Sequence, residues 1–184
     1  MGEDGSVGCV SDIAVLRDLL ADSFDRVHEL VEQATGGLTE EDATFRPDAE
    51  GNTAAWLLWH LSRVQDDHVA GLAQVEQVWP AWRDRFGLPF ADDETGYGQS
   101  PAEVGQVRVS AELLAGYHRD VHALCLRYVQ GVSAEELQRV VDEGWDPPVT
   151  AAVRLVSVLG DTLQHLGQVA YVLGLAARAR GTAA

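Results

Sequence analysis

The chain has 184 residues, 46% of them hydrophobic, which suits one domain with a real core. With 29 acidic against 13 basic residues its net charge is −16. That balance argues against nucleic acid or an anionic membrane as partner, since both need clustered Lys and Arg, and it fits a self-repelling cytoplasmic protein.

The first ten residues, MGEDGSVGCV, are acidic and lack a basic n-region. They are expected to be a flexible end and not a secretory leader, with the core over about residues 11–179 of a single domain spanning 1–184. A first helix is expected from about Asp12 to Ala34, capped by Ser11. Its apolar residues Ile13, Leu16, Leu20, Phe24, Val27, Val31 and Ala34 recur every three or four positions, and Gly36-Gly37 ends it. Thr39 and Asp42 then stand at capping distance within a short turn before Pro47.

The second helix is expected to open after Asn52 and run to about Val78, stopped by Pro80. Residues 80–100 read as a long loop with one helical turn, pinned to the body by Trp82, Phe86, Phe90 and Tyr97. Ser100, Pro101 and Glu103 start a third helix with a cap, a first-position proline and a capping box. Its buried stripe runs from Val104 through Tyr117 and Val121 to Tyr128, and Gly131 ends it. Ser133 and Glu136 cap a short helix, and residues 138–149 read as extended or irregular around Pro147-Pro148. Thr150 caps a last helix reaching about Ala179. No strand pattern and no repeat stands out. The apolar stretch 151–177 is broken by Arg154, Asp161, Gln164, His165 and Gln168, so it is no ordinary membrane span. Four amphipathic helices with long crossovers make an all-α four-helix bundle.

Chemistry concentrates in two helices. On the last, Arg154, Val158, Asp161, His165, Gln168 and Val172 share one face. A polar row inside the most apolar helix is costly unless its members pair or bind something. Asp161 and His165, one turn apart, can both reach one metal ion. His60 on the second helix, flanked by Trp56 and Trp59, is a third ligand if the two helices pack. Asp67 lies two turns further on, placed as a supporting partner or a substrate-side base. Arg154 and Gln168 are placed to line the same cavity. Spacing alone also allows His60 as a hydrogen-bonded core residue and Asp161 as an ion-pair partner of His165 or Arg154. His118 and His122 form a rival i,i+4 couple, read as flanking surface residues; His28 and His68 read as boundary residues. Cys9 and Cys125 have no metal or redox spacing, consistent with a reducing compartment.

Over nearly its whole length the chain resembles the DinB-like metal-binding four-helix bundles, and within them the actinobacterial mycothiol-dependent branch. The residues that carry this are GLTEED, RPDAEGNTAAWLLWHLSRVQDDH, FGLPF, TGYG and GWDPPVTAAVRLVSVLGDTLQHLGQVAYVLG. The resemblance implies a divalent ion, zinc or nickel, on His60, Asp161 and His165, and mycothiol as thiol co-substrate. In such relatives the first member of the last pair is His, or Glu in the maleylpyruvate isomerases; Asp161 departs from both and has a shorter reach. The implied activity is a metal-dependent thiol S-transferase or isomerase in which a thiolate attacks an electrophilic small molecule. A homodimer is compatible with it. The alternative is a non-catalytic bundle that uses its cleft for binding, and a weaker one is metal-independent hydrolysis through Asp67 with His60 or His68.

Overall fold

The computed structural model describes residues 12–181. The expected cap Ser11, Cys9 and the first ten residues lie outside them. Four long helices form the body: α1 (Asp12–Thr35), α3 (Ala54–Ala73), α6 (Ala111–Gly131) and α8 (Ala151–Ala179). Around the bundle the order is α1, α6, α3, α8, each packed on two neighbours. The sequence-adjacent pairs α1/α3 and α6/α8 therefore sit on diagonals. Both diagonal connections cross an end of the bundle, while the longest connection joins the neighbours α3 and α6. The fold is an all-α, DinB-like four-helix bundle.

Shorter elements fill the connections. Between α1 and α3 lies α2 (Glu40–Thr44), capped by the Thr39 hydroxyl, which accepts from Asp42 N. The α3–α6 crossover carries a 3₁₀ turn (Trp79–Ala81), α4 (Arg83–Phe86) and α5 (Pro101–Val104), the last with the expected capping box. After α6 comes α7 (Ala134–Gln138), capped by Ser133.

Five sequence expectations change. α3 is capped by Thr53 and not Asn52, because the Thr53 hydroxyl accepts from Trp56 N. It ends at Ala73, short of Val78, because Gln74 turns left-handed at φ 55° and donates its N–H back to Ala70 and Gly71 carbonyls. The third helix is two: α5 stops at Gly105, and Ser110 starts α6 with a second cap. The region around Pro147-Pro148 holds a small antiparallel pair, β1 (Val140–Asp142) and β2 (Val149–Thr150). Lastly, His118 is fully buried and not a surface residue, since α6 turns it into α3, where it meets the Ser62 hydroxyl at 3.1 Å.

α3 is central, buried against α6 and α8 and covered by the crossover. Even its charged residues are enclosed. Asp66, with no solvent exposure, accepts from Val78 N, Trp79 N and the Tyr117 hydroxyl, each at 2.8 Å. Arg63, equally buried, donates to Glu94 O and Gln77 Oε1 and lies over the Trp79 ring. These bonds, with the Arg63–Asp66 ion pair at 3.7 Å, offset most of the cost of burying the two charges, although Arg63 Nη2 is left without a partner. They also tie residues 77–94 of the crossover onto α3, next to His60 and Asp67. Among the described residues no helix is long and apolar enough to cross a membrane.

Candidate metal centre

α3 and α8 pack side by side, so His60 meets Asp161 and His165. One ligand-type atom from each lies within 4.8 Å of the other two. His165 Nε2 and Asp161 Oδ1 are 3.5 Å apart, about the edge length of a tetrahedron with bonds of roughly 2.0–2.2 Å. The remaining nitrogens are committed elsewhere. His60 Nδ1 donates to the Thr95 carbonyl at 2.6 Å, and a carbonyl can only accept. His165 Nδ1 sits 2.8 Å from Gln168 Oε1. Both imidazoles thus keep Nε2 as the ligand-side atom, the tautomer that such outer hydrogen bonds impose in metal sites. Asp161 Oδ2 is buried with no hydrogen-bond partner. This donor set of two imidazoles and a carboxylate fits a divalent ion such as zinc.

The electrostatics agree. Burial holds the His60 imidazolium below its ordinary range, only partly offset by the Thr95 bond. Contact with Asp161 lifts His165, and contact with His165 lowers Asp161. Whatever proton the His165–Asp161 couple shares without an ion, ligation would release it, so metal binding at this couple is opposed by low pH. Trp56 stacks on His60 with centroids 4.6 Å apart and presents an edge to His165. The indole shields one side of the site from water.

The other side opens into a cavity of about 440 Å³ where Val64, Asp67, His68, Ser157, Val158 and Tyr97 join His60 and Asp161. Asp67 is therefore at the cavity, held by Gln77, which donates to its Oδ1 at 2.8 Å. His68 Nδ1 is 3.5 Å from Asp67 Oδ2, and burial lowers its imidazolium. Arg154 is not brought to the cavity wall: it pairs with Asp142 of β1 at 3.0 Å. Gln168 is exposed and touches the site only through His165. A larger concavity of about 890 Å³ lies near the C-terminal ends of α3 and α6, between Val75, Leu124, Tyr128 and Arg139. Among the described residues the grouped ligand-type side chains lie at the smaller cavity and not here.

Sequence reasoning missed the crossover segment Thr95–Gly96–Tyr97. Thr95 anchors His60. Gly96, at φ +97°, lies so close that a Cβ there would stand 2.9 Å from His60 Nδ1 and from the Trp59 ring. Tyr97, expected with Trp82, Phe86 and Phe90 to pin the loop to the body, instead projects at the rim, 94% exposed. The available signal was a tyrosine between two glycines in T-G-Y-G, both at positive φ.

The model of the family described as mycothiol-S-transferase matches residues 19–175. The chain belongs to the mycothiol-S-transferase family. A conserved protein from Enterococcus faecalis, known from a crystal structure, is similar with a TM-score of 0.81 and 31% identity, over 86% of this chain and 95% of that one. No curated protein matches the chain.

Proposed function

We propose that this protein is a divalent-metal-dependent thiol S-transferase, with His60, Asp161 and His165 as the ligands and mycothiol as the thiol. The observation that carries the reading is the pair of outer hydrogen bonds, Thr95 to His60 and Gln168 to His165, which leave two Nε2 atoms beside a buried, unpartnered Asp161 oxygen. The family match supports the thiol. When bound, a zinc or nickel ion supplies Lewis acidity that lowers a thiol pKa into the working range.

The chain's own residues do the rest. Trp56 and the Thr95–Tyr97 segment restrict water on the flanks of His60. Neutral His68, oriented by Asp67 and partly open to solvent, takes up the thiol proton from the cavity side and passes it on to buffer, so that His68 is neutral again beside the thiolate. Gln77 fixes Asp67, and through it His68. Val64 and Val158 offer apolar wall to the electrophile. The freed thiolate forms a sulfur–carbon bond at an electrophilic carbon, and the bond broken there gives its electron pair to a departing group or to an atom that takes a proton from solvent.

The test uses cobalt-substituted protein titrated with mycothiol. A near-ultraviolet sulfur-to-cobalt band that is lost in His60→Ala and His165→Ala is expected. Thiol conjugation that runs equally well in metal-stripped protein contradicts the reading.

A further inference from the structure

The charge of the cavity bears on which electrophiles it admits. Asp67 and Asp161 both face it, and among the described residues no Lys or Arg lines it. The nearby cations are engaged elsewhere. Arg154, one turn before Ser157, is held by Asp142 at 3.0 Å, and Arg63 is fully buried against Gln77 and Glu94. His68 is kept neutral by its burial. A doubly charged cation on Asp161 leaves one positive charge. A thiolate cancels it, and Asp67 then leaves the loaded cavity negative. Val64 and Val158 are apolar, the Ser157 hydroxyl already donates to the Val153 carbonyl, and Tyr97 stands exposed at the rim, so the inner wall offers an incoming anion little hydrogen bonding. A carboxylate entering here is repelled and has no cation to replace its water.

We infer that the cavity takes uncharged or cationic electrophiles and rejects carboxylates, with Asp67 as the specificity-determining residue. This rests on the reading of the cavity as the thiol-transfer site. It sets the protein apart from chemistry on dicarboxylic acids and assigns it aryl halides, epoxides, quinones and similar neutral acceptors.

A matched pair of probes tests it: chlorodinitrobenzene and the chlorodinitrobenzoate that adds one carboxylate. In both, thiolate sulfur bonds to the chlorine-bearing carbon, chloride leaves with the C–Cl electron pair, and the thiol proton passes to buffer. Zinc-loaded protein and mycothiol are used, and each rate is divided by the uncatalysed rate. The neutral probe is expected to be favoured by roughly tenfold or more, from one repulsive charge at partial screening. Asp67→Asn should narrow that ratio several-fold through the KM of the anionic probe, and added salt should narrow it in wild type. Any loss common to both probes cancels in the ratio.

Binding of unreactive dinitrobenzene and dinitrobenzoate, followed by tryptophan quenching, gives the same comparison without turnover. Discrimination in binding with no turnover of either chloride would sink the transferase reading and leave the charge rule standing. Equal affinity for both, binding of neither, or an unchanged ratio in Asp67→Asn overturns the charge rule.

Discussion

Two helix pairs each bring an i,i+4 couple to a histidine on a neighbouring helix. Asp161 and His165 of α8 meet His60 of α3, while His118 and His122 of α6 meet His28 of α1. In the second group the rings lie nearly parallel. His28 stacks on His122 at 4.3 Å and 9°, and on His118 at 5.6 Å and 18°. Imidazole lone pairs lie in the ring plane, so stacked rings aim them past one another. Outer hydrogen bonds exist here too, between His118 Nδ1 and Ser62 and between His122 Nε2 and Asp25 at 2.8 Å, so they do not by themselves separate the two groups. In the first group the two imidazoles cross at 75°, and a carboxylate completes the set. Helical spacing supplies a couple in both places; the crossed rings and the carboxylate single out one of them as the candidate ligand set.

The sharpest way to break this comparison is to delete a ring from each group. His60→Ala or His165→Ala should weaken zinc affinity by more than ~100-fold, beyond the loss typical of an outer-shell change. His122→Ala should leave it unchanged by calorimetry. Next comes the outer shell. In Gly96→Ala the new methyl group meets His60 and Trp59 at a backbone angle that L-residues rarely adopt. Zinc affinity should fall about 10- to 100-fold with the helical content retained.

The stacked group should reveal itself through protons instead. Complete burial holds His118 at about 3 against an ordinary 6.5. Below pH 6.5 the unfolded chain binds a proton that the folded chain refuses. Stability is therefore full above that pH and falls as pH drops towards 3, by about 1.4 kcal/mol per pH unit. Urea unfolding of His118→Gln across this window should lose that slope; an unchanged slope would place the acid sensitivity elsewhere. The smallest effect is expected at Gln168, which is exposed and orients His165 alone. Gln168→Ala should weaken zinc binding by about tenfold, and Gln168→Glu should restore the acceptor and most of the affinity.

Much of the bundle was legible because its punctuation is local. Thr150, Ser133 and Gly36-Gly37 mark boundaries through their own side chains or lack of them, and α8 runs from Ala151 to Ala179 as read. The end of α3 was hidden because a glutamine, Gln74, takes the left-handed cap that a glycine would have signalled. The break between α5 and α6 was hidden because Val107 is buried and Val109 packs on the core, so the apolar repeat continues through a stretch that is not helical. At the site, His60, Asp161 and His165 could be named from helix faces. Arg154 could not be placed, because its partner Asp142 sits on a strand that only the β1–β2 pairing creates. Nor could Thr95, whose part is played by a backbone carbonyl and leaves no mark on residue type.

The departure at Asp161 also reads differently with the geometry in view. One methylene shorter than Glu, it still comes within 3.5 Å of His165 Nε2 and keeps Oδ2 buried and free. The most direct measurement of the central claim is elemental analysis of untagged protein after zinc loading and gel filtration, with His60→Ala and His122→Ala alongside. About one divalent ion per chain in wild type and in His122→Ala, and none in His60→Ala, is the expected result. A wild-type chain that retains no ion, or an ion content that His60→Ala leaves untouched, would contradict the account.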